Sequence, residues 1–382
     1  MIQQNNTVTA PSFPVDFQAW KDLTHRLGET FYERAQAQND SDEFVRENYE
    51  DLKQHGYFKA LVPQELGGAG VTHSQMAEII RIIGRYCGST ALALSMHQHL
   101  VSANVWKYIH GKGGETTLRK VVEKGLILIS TGAGDWLESN GNMEKVEGGY
   151  LVSADKHFAS QSAYADVLAT SAPYLHPEEG WQVLHFAVPI KAEGVTLKNN
   201  WKTLGMRGTG SHTVNFNQVF VADDAIALTR PKGEFHPVWN IVLGVAMPLI
   251  MAAYTGVAEA AADKAIEVAR SQKDENPLLP LMVGELHNLR TNAQLIFEDM
   301  VRVCNDFDFA PTNDIALRIL TRKTLLANAA KAMLDKSMEI AGGRSFFRFF
   351  GMERMFRDIQ ASAFHPLPEK KQQQFVGEWI LE

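Results

Sequence analysis

Three histidines stand out as groups able to do chemistry in this chain of 382 residues. His97 and His99 lie two apart in residues 89–110, where Leu92, Met96, Leu100, Val105 and Ile109 suggest a mostly apolar helix. His365 stands between Phe364 and Pro366, and a residue before proline is pushed out of helical geometry. An imidazole can give or take a proton within hydrogen-bond reach of a reacting atom. On an apolar helix it is more often structural or surface-exposed, so both readings stay open. Other chemistries lack their residues. Cys87 and Cys304 are the only cysteines, lie far apart and lack metal-ligand spacing. No H-E-x-x-H and no Cys/His cluster points to a metal. No G-x-G-x-x-G follows a strand pattern and no G-x-x-x-x-G-K-[ST] occurs, so neither a Rossmann site nor a P-loop is supported.

The elements that must position such residues fall into three blocks. Composition is that of an ordinary globular chain, 45% apolar and 21% charged, with a net charge of −7. That charge, with no long basic run, disfavours nucleic acid and anionic membrane surfaces as partners. Two lone cysteines and a polar N-terminus without an apolar core predict a reduced, cytoplasmic setting. Residues 241–258 carry no charge, but Gly244, Pro248 and Gly256 interrupt them and a charged helix follows. A buried helix is the expectation there, rather than a membrane span.

Helical patterns cover residues 17–38, 44–55 and 89–110, and Thr72 with Gln75 predicts a capping box ahead of Met76, Ile79, Ile80 and Ile83. From Leu126 the apolar period drops from 3.6 to 2. Strands are expected at 143–147, 150–155, 167–171, 182–189 and 213–221, the first two joined by a two-residue hairpin. After prolines at 231 and 237, helices return at 242–271, 278–305, 314–340, 352–364 and 370–380. The expected fold is mainly α with a central β domain. It has an N-terminal helical domain (1–125), an antiparallel, barrel-like middle domain (126–226) and a C-terminal four-helix bundle (227–382).

A β-unit between two helical blocks, with Ser130-Thr131, Lys156 to Ser160, Leu204-Gly-Met-Arg-Gly208, Asn217 to Val221, Ala341-Gly-Gly343 and Phe356-Arg-Asp358 in this order, resembles the acyl-CoA dehydrogenase superfamily of flavoproteins. The resemblance runs from about residue 15 to residue 381. It implies a flavin, FAD or FMN, and a dimer or tetramer whose copies share their flavin sites. Thr131 matches a threonine at the flavin pyrimidine edge. Phe158 and Ser160 match an aromatic face and a hydroxyl near flavin N5, with a core role for Phe158 as the rival reading. Glu339, Gly342 and Gly343 match the segment that approaches a neighbour's cofactor.

The departures from that family are informative. Its members remove a proton from substrate Cα with a glutamate. Pro366 stands at one family position for that base, and Ala246, within Ala246-Met247-Pro248, at the other. Neither can accept a proton; Glu369 is the nearest replacement. The dinucleotide-holding motifs are also changed, and Glu339 beside a pyrophosphate is unfavourable unless a cation intervenes. Both changes resemble a branch of the superfamily that oxygenates, taking reduced flavin from a separate reductase and using O2. In that branch Ser160 would lie near N5, with His365 and His97 beside the activated oxygen in a low-dielectric site. Trp136, Trp239 and Met247 are candidates for an apolar substrate wall, and equally for core positions. The expectation is a flavin-dependent monooxygenase acting on a small organic substrate, with no metal. Two alternatives stay open: an acyl-CoA dehydrogenase with a relocated base and an electron-transfer flavoprotein partner, and a catalytically silent flavin-binding scaffold.

Overall fold

The N-terminal block opens with α1 (Phe17–Ala37), whose first turn is capped by the Asp16 carboxylate accepting from Ala19 N–H at 2.8 Å. The structure, a computed structural model, describes residues 13–132, 137–274 and 276–382. α2 (Arg46–Gln54) follows, then α3 (His73–Tyr86), where both bonds of the Thr72/Gln75 capping box are made. Met76, Ile79, Ile80 and Ile83 of α3 are all buried. α4 (Gly88–Ile109) is buried on nearly every side; most of it is apolar or small, and its buried His97, Gln98 and His99 side chains find hydrogen-bond partners. α5 (Glu115–Lys124) was not foreseen. Only Leu118 and Val121 of it are buried, too few to write a helical period into a polar stretch.

The middle block contains β1 (Leu128–Ser130), β2 (Asn142–Val146), β3 (Gly149–Ala159), β4 (Val167–His176), β5 (Gly180–Pro189), β6 (Val195–Leu197), β7 (His212–Ala222) and β8 (Leu228–Pro231). They form two four-stranded sheets, in the orders β1-β4-β5-β8 and β2-β3-β7-β6. Ile129, Val152, Leu168, Phe186, Val214 and Phe216 fill a core of their own. The hairpin turns at Glu147-Gly148, one residue earlier than the expected strands at 143–147 and 150–155 imply, with Val146 opposite Gly149. One pairing departs from the antiparallel expectation: β1 runs parallel to β4, with Leu128 opposite Val167. Between them the chain leaves for the other sheet, makes the β2–β3 hairpin and returns in its original direction. β6 and β8 are three and four residues long, below what alternation reveals.

The C-terminal block holds α6 (Val238–Gln272), α7 (Leu279–Cys304), α8 (Asn313–Ala341), α9 (Met352–Ile359) and α10 (Glu369–Leu381). The first three are the long helices of the bundle; the shorter α9 and α10 complete it. The apolar window of α6 is 94% buried inside the protein, where α3, α4, α7 and α8 pack against it. The helix expected to reach Phe364 ends at Ile359. A 3₁₀ turn carries the chain to Phe364, and His365 is extended (φ −65°, ψ 151°) ahead of Pro366.

A charged cluster ties the helical blocks together. The Glu259 carboxylate on α6, 1% exposed, accepts from Gln294 Nε2 at 2.8 Å and faces Arg81 and Arg85 of α3 at 3.3 Å each. Asp263, one turn on, takes Arg85 and, at 2.6 Å, Arg290. Removing one member of such a set strands the rest. Glu259→Ala is expected to cost about 3 kcal/mol, read as a lower urea midpoint at unchanged m-value. Glu259→Gln, which keeps the hydrogen bond to Gln294, should cost less.

Candidate flavin site between the β domain and the C-terminal helices

The ends of β1 and β3 meet at the candidate site. Gly132 N–H donates to His157 O at 3.2 Å, and a Cβ on Gly132 would lie 3.0 Å from Phe158 Cβ, so glycine is what permits the approach. Pairing of β3 with β7 slips between Lys156 and Ala159, where three steps along β3 match two along β7. This bulge turns the strand. Phe158 within it takes φ +62°, a left-handed conformation that costs a non-glycine residue about 1 kcal/mol. Its ring is 61% exposed and meets Trp201 edge-on at 6.2 Å. An aromatic residue held exposed on a strained backbone offers a candidate binding surface, and a core role for Phe158 is corrected by that exposure.

Hydroxyls edge this surface. Thr131 Oγ1 lies 3.1 Å from Thr170 Oγ1. Ser160 Oγ is 2.8 Å from Ser211 Oγ, which is 2.7 Å from Thr209 Oγ1. A flat heteroaromatic ring with hydrogen-bonding edges fits this donor set: an exposed aromatic face, hydroxyls beside it, and no Cβ at Gly132.

The His365 segment is held against the β domain from the other side. Asp358 on α9, 6% exposed, accepts from Met206 N–H at 2.5 Å, and Arg357 Nη1 donates to Leu204 O at 3.1 Å. A Cβ on Gly205 would lie 2.1 Å from Arg357 O, which explains the glycine of the Leu204–Gly208 motif. Burial raises the Asp358 carboxyl pKa; the Met206 N–H and the nearby arginines work against that. His365 Nε2 then lies 2.6 Å from the hydroxyl of Tyr254, a fully buried residue of α6. Burial, and secondarily the Lys323 ammonium, push the His365 pKa down to about 3, so the ring is neutral.

The other candidates are placed elsewhere. His97, expected beside the reacting oxygen, is a structural tie. Its Nδ1 accepts from Leu128 N–H at 3.0 Å and its Nε2 lies 2.7 Å from Phe58 O, which commits both nitrogens to backbone. Its neighbour His99 reaches the site edge instead, with Nε2 3.2 Å from Ser130 Oγ. Both histidines lie on buried faces of α4, so periodicity alone does not separate them. Met247 is 3% exposed within the main core. Trp239 packs with the His185 ring at 6.0 Å and the Arg230 guanidinium at 5.6 Å, apart from Met247. Trp136 lies outside the described residues. Glu339 pairs with Lys336 at 2.6 Å near the exposed end of α8, where Gly342 (φ +59°) stops the helix. A Cβ on Gly342 or Gly343 would meet nothing within 4 Å. Glu369, the relocated-base candidate, sits at the start of α10, accepting from Asn328 Nδ2 at 3.1 Å and paired with Lys370. Those two partners hold its carboxyl below the usual range.

A helical domain, a two-sheet β domain and a helical bundle, joined around an aromatic and hydroxyl-edged surface, define the architecture of flavin-dependent dehydrogenases and oxygenases. The chain belongs to the acyl-CoA dehydrogenase family. Its residues 16–124, 134–219 and 249–368 match the family's N-terminal, middle and C-terminal domains. It is similar to Bacillus subtilis YdbM, a protein with a provisional acyl-CoA dehydrogenase name, at 23% identity over 91% of this chain and 92% of that one. It is also similar to the dibenzothiophene monooxygenase of Mycolicibacterium goodii, at 25% identity over 94% of this chain and 92% of that one. Among solved structures, TdsC of Paenibacillus sp. A11-2 in complex with FMN and indole superposes with a TM-score of 0.81 at 20% identity, over 96% of this chain and 97% of that one.

The two α4 histidines set an acid limit to stability. Burial pushes both from 6.5 to about 4, which the carbonyl partners only partly oppose. With the folded value below the unfolded one, the unfolded chain binds more protons, so stability is complete above about pH 6.5 and drains away towards pH 4. The loss is on the order of 3 kcal/mol for each ring. Urea midpoints at pH 8 and pH 5 should show this slope, and His97→Gln should flatten it while lowering stability at pH 8 by about 2 kcal/mol through one unmade buried hydrogen bond.

Proposed function

We propose that this protein is a flavin-dependent monooxygenase that oxygenates a small organic substrate with O2 and reduced flavin. The observation that carries the reading is the replacement of the base. Pro366 and Ala246 stand at the two family base positions, Glu369 is engaged at the start of α10, and the imidazole next to Pro366 is oriented by Tyr254. The likeness to a dibenzothiophene monooxygenase supports it. Bound flavin supplies the electrons and the place where O2 is activated. Phe158 and Trp201 would pack against the ring of a bound flavin, while Thr131 and Ser160 would hydrogen-bond its polar edge. His365, neutral and oriented, holds a proton at the side where oxygen is transferred. His99, beside Ser130, adds a second neutral imidazole to that wall.

Assembly and supply belong to the same reading. Phe346, Phe347, Phe349 and Phe364 are more than half exposed, an apolar surface that suits contact with further copies in a dimer or tetramer. Glu339, Gly342 and Gly343 then approach a neighbour's cofactor, and the acid of Glu339 favours FMN over the second phosphate of FAD. A separate reductase delivers reduced flavin. Cys87 and Cys304, both free and buried, suit the cytoplasm.

Three measurements test this. Flavin-loaded protein mixed anaerobically with straight-chain acyl-CoAs should not bleach; rapid bleaching means a dehydrogenase. With reduced FMN, O2 and an oxygenated substrate identified from a panel of small aromatic and sulfur compounds, His365→Ala should keep its flavin affinity. It should lose about 10²-fold in oxygenation, with the flux appearing as H2O2. Light scattering should show a species larger than the 42.5 kDa single chain.

A further inference from the structure

We propose that Tyr254 is a positioning residue that fixes the proton of His365 on Nδ1, making this ring a permanent hydrogen-bond donor towards the bound ligand; the inference deepens the oxygenase reading and rests on it for its catalytic meaning. The argument starts from donor and acceptor counts. Tyr254 is 0% exposed, and its hydroxyl meets a single partner among the described residues, His365 Nε2 at 2.6 Å. A buried hydroxyl proton needs an acceptor. Were Nε2 protonated, it would donate to the tyrosine oxygen and leave the tyrosine proton stranded in the core. With Nε2 bare, the O–H donates to it and both groups are satisfied. In a neutral imidazole the nitrogen that accepts dictates that the other carries the hydrogen. The proton is therefore on Nδ1, the nitrogen for which no hydrogen bond to a described protein group is found.

Neutrality is secured from every element packed around the ring. α6 contributes the Tyr254 phenol, whose pKa burial raises well above 10, Asp358 adding to it from α9. α8 contributes Lys323, 1% exposed, whose ammonium donates to Leu367 O at 3.0 Å, two residues past His365. Its charge opposes an imidazolium, and its hydrogen bond holds the segment that carries the ring. Burial, with Lys331, lowers the lysine's own pKa to about 8, so both effects persist through neutral pH. Pro366 fixes the backbone on the following side. Free histidine in water prefers the opposite tautomer, with the proton on Nε2, so the arrangement inverts the intrinsic preference.

The experiment reads the tautomer directly. Protein labelled with 15N in its histidine rings, in wild-type and His365→Gln forms, gives the His365 signals by difference. The expected spectrum has a protonated Nδ1 and a bare Nε2, unchanged from pH 6 to pH 9. In Tyr254→Phe the ring should revert towards the Nε2-protonated form, and the fraction of O2 consumed that ends in product should fall about fivefold to tenfold, as expected for one mispointed hydrogen bond. A protonated Nε2 in the wild-type spectrum overturns the proposal, whatever the variant does, and so does a Tyr254→Phe spectrum identical to wild type. The spectrum needs no turnover, so it stands or falls apart from the oxygenase reading: a correct tautomer without any oxygenated product would remove that reading and leave the positioning intact.

Discussion

A buried carboxylate and the guanidinium next to it in sequence join the parts of this protein that must meet. Asp358 takes the backbone N–H of Met206, Arg357 beside it takes the carbonyl of Leu204, and the same guanidinium reaches Asn39 just past the end of α1. Three chain segments more than 150 residues apart are thereby held on one short helix, α9. The candidate site depends on this joint, because His365 lies seven residues beyond Asp358 and Trp201 five before Met206. Met206 O in turn accepts from the Trp201 indole at 3.0 Å, which sets the ring that meets Phe158. Charged side chains serve here because charge strengthens each hydrogen bond they make, the carboxylate accepting from one backbone N–H and the guanidinium donating to a carbonyl and an amide oxygen, in a place where apolar packing would not fix register.

The fold was largely legible in the sequence because its long elements repeat one period over many residues. The capping box at Thr72, the hairpin at Glu147-Gly148 and the three long helices of the bundle each rest on such local signals. What escaped was short or non-local: α5, β6, β8, and the parallel β1–β4 pairing, which depends on where the chain goes between the two strands. Domain resemblance brought Thr131, Phe158 and Ser160 forward, and the structure gathers them where β1 and β3 end. It did not separate His97 from His99. A two-residue step on a helix buried all round carries no sign of which ring reaches a carbonyl and which a hydroxyl. Tyr254 carries no signal of its own in the sequence, since its role appears only once α6 and the 3₁₀ turn after α9 are side by side.

In the proposed reading, the chemistry of the site follows from an exchange of one kind of group for another. A carboxylate base must titrate to work, and its usefulness depends on a pKa matched to the task. The arrangement around His365 does the reverse. Burial, a neighbouring ammonium and a tyrosine hydroxyl remove titration from consideration and leave a neutral group of fixed direction. That suits stabilisation of developing charge by a prepared donor better than proton abstraction from carbon.

The bulge in β3 has a meaning for how this chain tolerates change. Phe158 owes its outward turn to one surplus residue between Lys156 and Ala159. Deleting a single residue there would restore an unbroken ladder with β7 and fold the aromatic ring back among the strands. Replacing Phe158 by another aromatic side chain would leave the turn as it is. This stretch is therefore constrained in length more strictly than in residue type, and insertions or deletions in it act as frameshifts of geometry although the reading frame is untouched.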